Sequence, residues 1–228
     1  MLHYWQREIE NLKKQILSLG AIVEEQIQRA VLALDRCDNS LANEVIARDR
    51  EVDSLEIVVE EECLKILALY QPVAKELRFV VAVLKMNNDL ERIGDLASNI
   101  ASRARYLNKK EKIDLTGEFN EVAYKAQIMV KKSLDALVNT DEKLAREVIA
   151  ADEEVDKLTK HMLKRTISAI EKNPDRVKEY FSIRSISKNI ERMADCATNI
   201  AEDVVYLCTG EIIRHQPEDI MTDESAEK

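Results

Sequence analysis

Glycine and proline are scarce. The 228 residues hold 4 Gly and 3 Pro, where ordinary usage would supply roughly 16 and 11. A β-sandwich, a barrel or a loop-rich α/β enzyme needs both residues for its turns, so these folds are nearly excluded. Aromatic residues make up only 4% of the chain. A basic balance is also missing. The formal charge is -9 and the pI about 5.1, which speaks against direct DNA or RNA binding. The apolar runs, such as Phe79 to Leu84, are far too short to cross a bilayer. The opening MLHYWQREIE has no apolar h-region, so no signal peptide is expected. Cys37, Cys63, Cys196 and Cys208 form no C-x-x-C pair. They read as buried free thiols of a cytosolic protein.

What is present is aliphatic and charged: 46% hydrophobic and 34% charged residues. That is enough to bury a core, and disorder is disfavoured. Long helices joined by a few short turns remain.

The chain also repeats itself. Residues 41–55 (LANEVIARDREVDSL) match 144–158 (LAREVIAADEEVDKL) at 11 of 15 positions, an offset of 103. Residues 91–107 (ERIGDLASNIASRARYL) match 191–207 (ERMADCATNIAEDVVYL) at 9 of 17, an offset of 100. A period near 100 is too long for a solenoid and suits a three-helix unit. The expected fold is all-α, a tandem duplication of a three-helix bundle, with six long helices in two antiparallel bundles side by side. The units divide the chain into 1–110, 111–212 and an acidic tail, 213–228, expected to be mobile.

Breakers place the helices. The first runs from about Tyr4 to Asp35. Asp38, Asn39 and Ser40 cap the second, which continues to about Tyr70. Pro72 suits the first turn of the third, which runs to about Asn108. The fourth covers about Glu118 to Val138, Thr140 caps the fifth, and Asn173-Pro174 repeats the break before a sixth that ends near Gly210. In the third helix the apolar stripe is Phe79, Val83, Met86, Leu90, Ile93, Ala97, Ile100, Ala104 and Leu107. Its steps of 4 and 3 describe a bundle seam. The sixth helix repeats it from Ile183 to Leu207. The methionines on these stripes read as core filler.

Acid pairs at i, i+4 recur in both units: Asp49 and Asp53, Glu91 and Asp95, Asp152 and Asp156, Glu191 and Asp195. Like charges at this spacing repel by about 0.2–0.5 kcal/mol per pair. Relative to the seams they lie on outer flanks, with Asn88 and Asn99 on the same stripe. Folding each hairpin about its proline sets Asp53 level with Glu91 and Asp49 level with Asp95. Asp156 then faces Glu191, and Asp152 faces Asp195. Each hairpin thus brings four carboxylates to one height, roughly 28 Å from the turn at 1.5 Å per residue. Carboxylate oxygens are hard ligands, and such a cluster invites a metal ion: iron, zinc, manganese or magnesium. The bland alternative is structural pairing with Arg48, Arg92 or Arg192. No Glu-x-x-His pair, P-loop, G-x-G-x-x-G or Ser/His/Asp grouping appears, and no catalytic residue is nominated. Arg103, Arg105, Lys109, Lys110 and Lys112 gather at a helix C-terminus and form a candidate docking patch.

The segments PVAKELRFVVAVLKMNNDLERIGDLASNIA and NIERMADCATNIAEDVVYLCTGEIIRH closely resemble the PhoU family. The duplication does too, over nearly the whole chain. The resemblance implies two three-helix bundles and a cytoplasmic, non-enzymatic accessory protein. It implies negative regulation of phosphate uptake and of the phosphate-starvation response. The implied partners are the ATPase of a phosphate ABC transporter and a sensor histidine kinase. It also implies metal clusters held through the acidic motifs: Asp49, Asp53, Glu91 and Asp95 at one, and Asp152, Asp156, Glu191 and Asp195 at the other. Asn99 and Asn199 are secondary candidates. Cys196 stands where many members carry His, and Asn88-Asp89 becomes Lys188-Asn189, so the two sites are expected to differ. No nucleic acid and no membrane insertion are expected, and a homodimer is allowed. Two other readings stay open here: a carboxylate-ligated metalloprotein that stores iron or runs a metal-dependent reaction, and a metal-free helical interaction module.

Overall fold

The computed structural model describes residues 2–111, 113 and 117–213. Lys112 and the acidic tail after Ile213 lie outside these residues. The described chain forms α1 (Leu2–Asp35), α2 (Asn39–Tyr70), α3 (Ala74–Leu107), α4 (Gly117–Asn139), α5 (Glu142–Lys172) and α6 (Val177–Thr209), with a short 3-10 turn at Pro174–Arg176 before α6. No strand occurs among the described residues.

Local chemistry sets the helix ends. Asp38 caps α2 as expected, its side chain accepting from the Ser40 and Leu41 amides at 2.9 and 3.0 Å. The cap of α5 is Asp141, which accepts from the Leu144 amide at 3.0 Å, and not Thr140. Thr140 instead takes φ 51, as Cys37 takes φ 54 at the matching point of the first unit. Both sit in the left-handed conformation that ends a helix, so the capping role passes to the next residue. Pro72 also falls outside its expected place. Gln71 takes the left-handed conformation that closes α2, and α3 begins two residues beyond the proline. In the second unit Pro174 does open a helical turn, of the 3-10 kind. Gly210 ends α6 with φ 82, a conformation that favours glycine.

Helices α1, α2 and α3 pack together as one bundle and α4, α5 and α6 as the other. The bundles meet mainly through α3 against α6, with α1 against α4 beside them. The expected seams are buried from Phe79 to Ala104 and from Ile183 to Leu207. The two third helices are buried over a wider arc than a seam, however. Val80, Ala82, Leu96 and Ala101 are inside, as are Ala194, Ala201 and Val205. The cause is that α3 touches three helices and not two. Small residues let these backbones approach. At Gly94 an added Cβ would lie 3.0 Å from Val52 Cγ1, and at Gly20 it would lie 2.5 Å from Leu134 Cδ1.

The register of α3 on α6 can be read from two contacts. Asn199 Nδ2 donates to Asp89 Oδ1 at 3.2 Å, and Lys85 Nζ stands 3.4 Å from Asp203 Oδ1. The helices are therefore antiparallel, and Gly94 is level with Ala194, its own counterpart one repeat later. The pseudo-twofold axis passes between them.

The four thiols are free, but only Cys63 and Cys196 are buried; Cys37 is exposed and Cys208 half-buried. The expectation of four buried thiols thus fails at both bundle ends, where these two lie next to helix termini. Burial pushes Cys63 and Cys196 up to about 12, which makes both inert.

Energetics follow from this layout. Ile93→Ala, at a position with 0% exposure, is expected to cost about 2–5 kcal/mol. Asp141→Ala is expected to cost about 1 kcal/mol. Urea denaturation of the two variants checks the ranking.

Candidate functional site

The α2–α3 hairpin does bring the first acid set together. Asp49 is half-buried, and burial is the main reason its carboxyl lies above the usual range. The charges of Asp95 and Asp53 add to that, and the Ser98 side chain pulls it back. Glu91 is raised by burial, then by Asp95, Asp53, Glu56 and Asp49. Asp49 and Glu91 thus each feel acids of the facing helix as well as of their own, which puts these two on the same side of the hairpin. Asp53 and Asp95 are exposed at the rim.

The same construction recurs on α5 and α6. Asp152 is pushed up to about 6 by burial, then by Asp195, Asp156 and Glu191. Thr198, the counterpart of Ser98, opposes this shift, although its Oγ1 has no hydrogen-bond partner of ordinary geometry. Asp195 is raised by burial first and then by Glu191, while Lys188 and Arg92 oppose it.

The clusters are not equivalent. In the second, Lys188 Nζ lies 2.6 Å from Glu191 Oε1 and Lys160 Nζ lies 2.8 Å from Asp156 Oδ2. Among the described residues, no lysine or arginine pairs with Asp49, Asp53, Glu91 or Asp95. Arg48, one candidate neutraliser, turns instead to Glu25 at 2.9 Å and Glu51 at 3.1 Å. Asp49 Oδ1 is buried there without a hydrogen-bond partner. The amide of Asn87, fully buried, donates to Glu56 Oε1 at 3.0 Å and to its backbone oxygen at 2.8 Å. Glu56 thereby joins the first cluster as a fifth carboxylate, itself raised by burial and by Glu60 and Asp53.

Among the described residues, no three His, Cys, Asp or Glu side chains converge on one point as a closed coordination shell would. The arrangement is a pair of open acidic faces. Its donor chemistry, all oxygen with surplus negative charge in the first unit, nevertheless suits a hard cation.

Sequence reasoning missed Glu56, Ser98, Thr198 and Lys160; Lys188 it named as a difference between the two sites, and Lys188 pairs with Glu191. The i, i+3 step from Asp53 to Glu56 and the i, i+4 step from Asp156 to Lys160 were legible signals. Asn199 is not part of the second cluster. It donates to Asp89 across the α3/α6 seam, in a polar cavity of about 640 Å³ that also holds Lys85, Arg92 and Asp203. Asp89 is raised there chiefly by burial.

Two tandem three-helix bundles, joined through their third helices and each carrying a carboxylate face on its hairpin, define a duplicated helical protein. The PhoU domain model matches residues 16–104 and again 119–204. The chain belongs to the PhoU family. It is 35% identical over 210 residues to the phosphate-specific transport system accessory protein PhoU homolog of Aquifex aeolicus, covering 92% of this chain and 95% of that one. The homolog of the same name from Pseudomonas aeruginosa is 36% identical, with 91% and 86% covered. The crystal structure of PhoU from Pseudomonas aeruginosa superposes with a TM-score of 0.88 at 35% identity, covering 91% of this chain and 100% of that one. The phosphate transport system regulatory protein PhoU from Streptococcus pneumoniae gives 0.85 at 28% identity, with 91% and 98% covered.

The raised carboxylates have a consequence for stability. Asp152 titrates near 6 when folded and near 3.9 when unfolded. The folded state therefore binds the proton more tightly. This contribution to stability is complete below about pH 4 and is lost as pH rises through 6. In chelator-treated protein, Asp152→Asn is expected to stabilise the fold at pH 7.5 by about 1–2 kcal/mol, a pKa difference discounted for partial solvent exposure. It is also expected to flatten the fall in stability between pH 5 and 7.5, measured by urea unfolding at each pH.

Proposed function

We propose that this protein is an accessory regulator of phosphate transport that works by binding and not by catalysis. The observation that carries the reading is the family match over both repeats, together with relatives named as accessory proteins of the phosphate-specific transport system. Among the described residues no helix is long and apolar enough to cross a membrane, so contact with a transporter runs through a docked surface. In the finer reading it is a cytoplasmic negative regulator of phosphate uptake and of the phosphate-starvation response. It acts as a rigid adaptor, in monomeric or homodimeric form, between the transporter ATPase and a sensor histidine kinase. Deletion of the gene is the test. Expected is phosphatase expression in phosphate-replete cells; normal phosphate control in the deletion strain rejects the reading.

The acidic faces supply the second half of this proposal. Asp49, Asp53, Glu91 and Asp95 hold a metal ion, iron, zinc, manganese or magnesium, with Glu56 at the margin. Asp152, Asp156, Glu191 and Asp195 hold another more weakly. The bound cation neutralises the surplus charge and ties α2 to α3 or α5 to α6. The difference in strength follows from Lys160 and Lys188, which already occupy two of the second set's carboxylates. A cation must displace them, and each displacement costs a charge-assisted hydrogen bond. Titration with Mn²⁺ followed by electron paramagnetic resonance is expected to resolve two classes of site. Asp49→Asn with Glu91→Gln removes the tighter class. Lys160→Ala with Lys188→Ala strengthens the weaker class by about tenfold, the loss of one to two such bonds. A single class, or protein that binds no metal, counts against it.

A further inference from the structure

The α3/α6 seam has two ends related by the pseudo-twofold axis, and they differ. At one end Lys85 of α3 faces Asp203 of α6 at 3.4 Å, with Asp203 only 3% exposed. Lys85 also lies 5.7 Å from the Tyr206 ring. Cation, acid and ring pair with one another there, beside the polar cavity of about 640 Å³. At the other end the counterparts are Ser185 and Arg103. The acid has become an arginine and the lysine a serine. Arg103 consequently has no carboxylate partner among the described residues, and Lys178 has none either.

Between these two cations a groove of about 420 Å³ runs along the seam, lined by Arg103, Tyr106, Val177, Lys178, Phe181 and Ser182. Its floor is apolar and exposed. Phe181 is 66% and Val177 47% accessible, an unusual outlay for an aromatic in a chain with 3 Phe. Lys110 sits 5.5 Å from the Tyr106 ring and adds a third cation to the rim. An apolar floor with an exposed aromatic, flanked by unpaired Arg and Lys, has the composition of a binding hot spot. It also stands out on a protein of net charge -9.

We propose that this groove receives an acidic amphipathic segment of a partner protein. Its large apolar side chains pack on Val177, Phe181 and Tyr106, and its carboxylates pair with Arg103 and Lys178. Charge complementarity selects this occupant. An anionic bilayer is a poorer match, because a flat surface would also meet exposed acid such as Asp175, two residues before Val177. The chain's own acidic tail leaves α6 from the opposite end, about 42 Å from Phe181 at 1.5 Å per residue. Its large apolar residues Ile220 and Met221 follow Thr209 by eleven and twelve positions. They span that distance only as a fully extended strand, which leaves no length to settle in the groove.

The proposal deepens the adaptor reading, on which it rests for the existence of a partner, and its test separates the two. A photoreactive benzophenone amino acid replaces Phe181 in the full-length chain in cells. After irradiation, the captured peptide is sequenced by mass spectrometry. Expected is one partner protein attached through a segment rich in Asp and Glu around a large apolar residue. The charge reversals Arg103→Glu and Lys178→Glu are expected to lower capture by about tenfold, the scale of losing paired interface charges. Lys14→Glu with Lys75→Glu changes the net charge equally at the far end of α3 and is expected to leave capture unchanged. Circular dichroism confirms that both variants fold. Capture of a basic segment, of lipid, of residues 214–228 of a second copy, or of nothing overturns the assignment. So does capture that is insensitive to the Arg103 and Lys178 reversals. If the groove fails while the deletion strain still loses phosphate control, the adaptor reading survives and the groove does not.

Discussion

Everything in this molecule hangs on the close antiparallel contact between α3 and α6. Each third helix is at once the spine of its own bundle and the wall shared with the other. The side of α3 toward α6 carries Lys85 and Asp89, while small side chains serve each spine's own bundle: Gly94 lies against Val52 of α2 and Gln26 of α1, and Ala97, Ala101, Ala194, Ala197 and Ala201 are buried. Once the two spines are fixed, the outer helices have little freedom. Helices α2 and α5 must pack on the remaining flanks, so one side of each hairpin is left facing outward. The carboxylates stand on that side. Their position therefore follows from the packing of the core and does not have to be stabilised by the acids themselves.

This explains how the acids can be mutually repulsive. Burial and like charge raise Asp49, Glu91, Asp152 and Asp195 above their ordinary range. A raised carboxylate is one the folded state would rather protonate, so near neutrality each of these groups opposes folding. Two bundles with extensive aliphatic cores can carry that cost. Strain concentrated in repeated polar groups, while local capping and packing elsewhere agree with the fold, is the usual mark of a functional feature. The second repeat relieves part of the strain with Lys160 and Lys188. The first does not, and it adds Glu56.

Much of this was legible in the sequence, for physical reasons. The scarcity of breakers left each helix as one rod, so counting outward from a proline was enough to set heights along the hairpins. The seam residues were readable because a two-helix contact imposes a simple 3-4 period. What failed was local or lateral. Thr140 and Asp141 are neighbouring residues that can both cap, and the choice depends on which one enters the left-handed conformation. Azimuth around a helix depends on how many neighbours it has. The third contact of α3 and α6 could not be counted in advance, so Ala82, Leu96 and Ala201 were not assigned to the core. The lysines that enter the second cluster do so by side-chain reach, which spacing alone constrains weakly.

Duplication gives the molecule an internal control. The burial pattern of residues 93–101 repeats position for position at 193–201, so the two copies present nearly the same scaffold to selection. Differences between them are then differences in surface chemistry on equivalent backbones. Three such differences are lysine added to one acidic face, an acid replaced by Arg103 at one seam end, and Phe181 where the other copy has Val81. None is needed to keep the bundle, since the equivalent site manages without it. A symmetric adaptor would bind two identical partners. Under the proposed adaptor role, a scaffold whose halves share a core but differ in exposed charge is suited to hold two unlike ones, and that polarity lies in those substitutions and not in the fold.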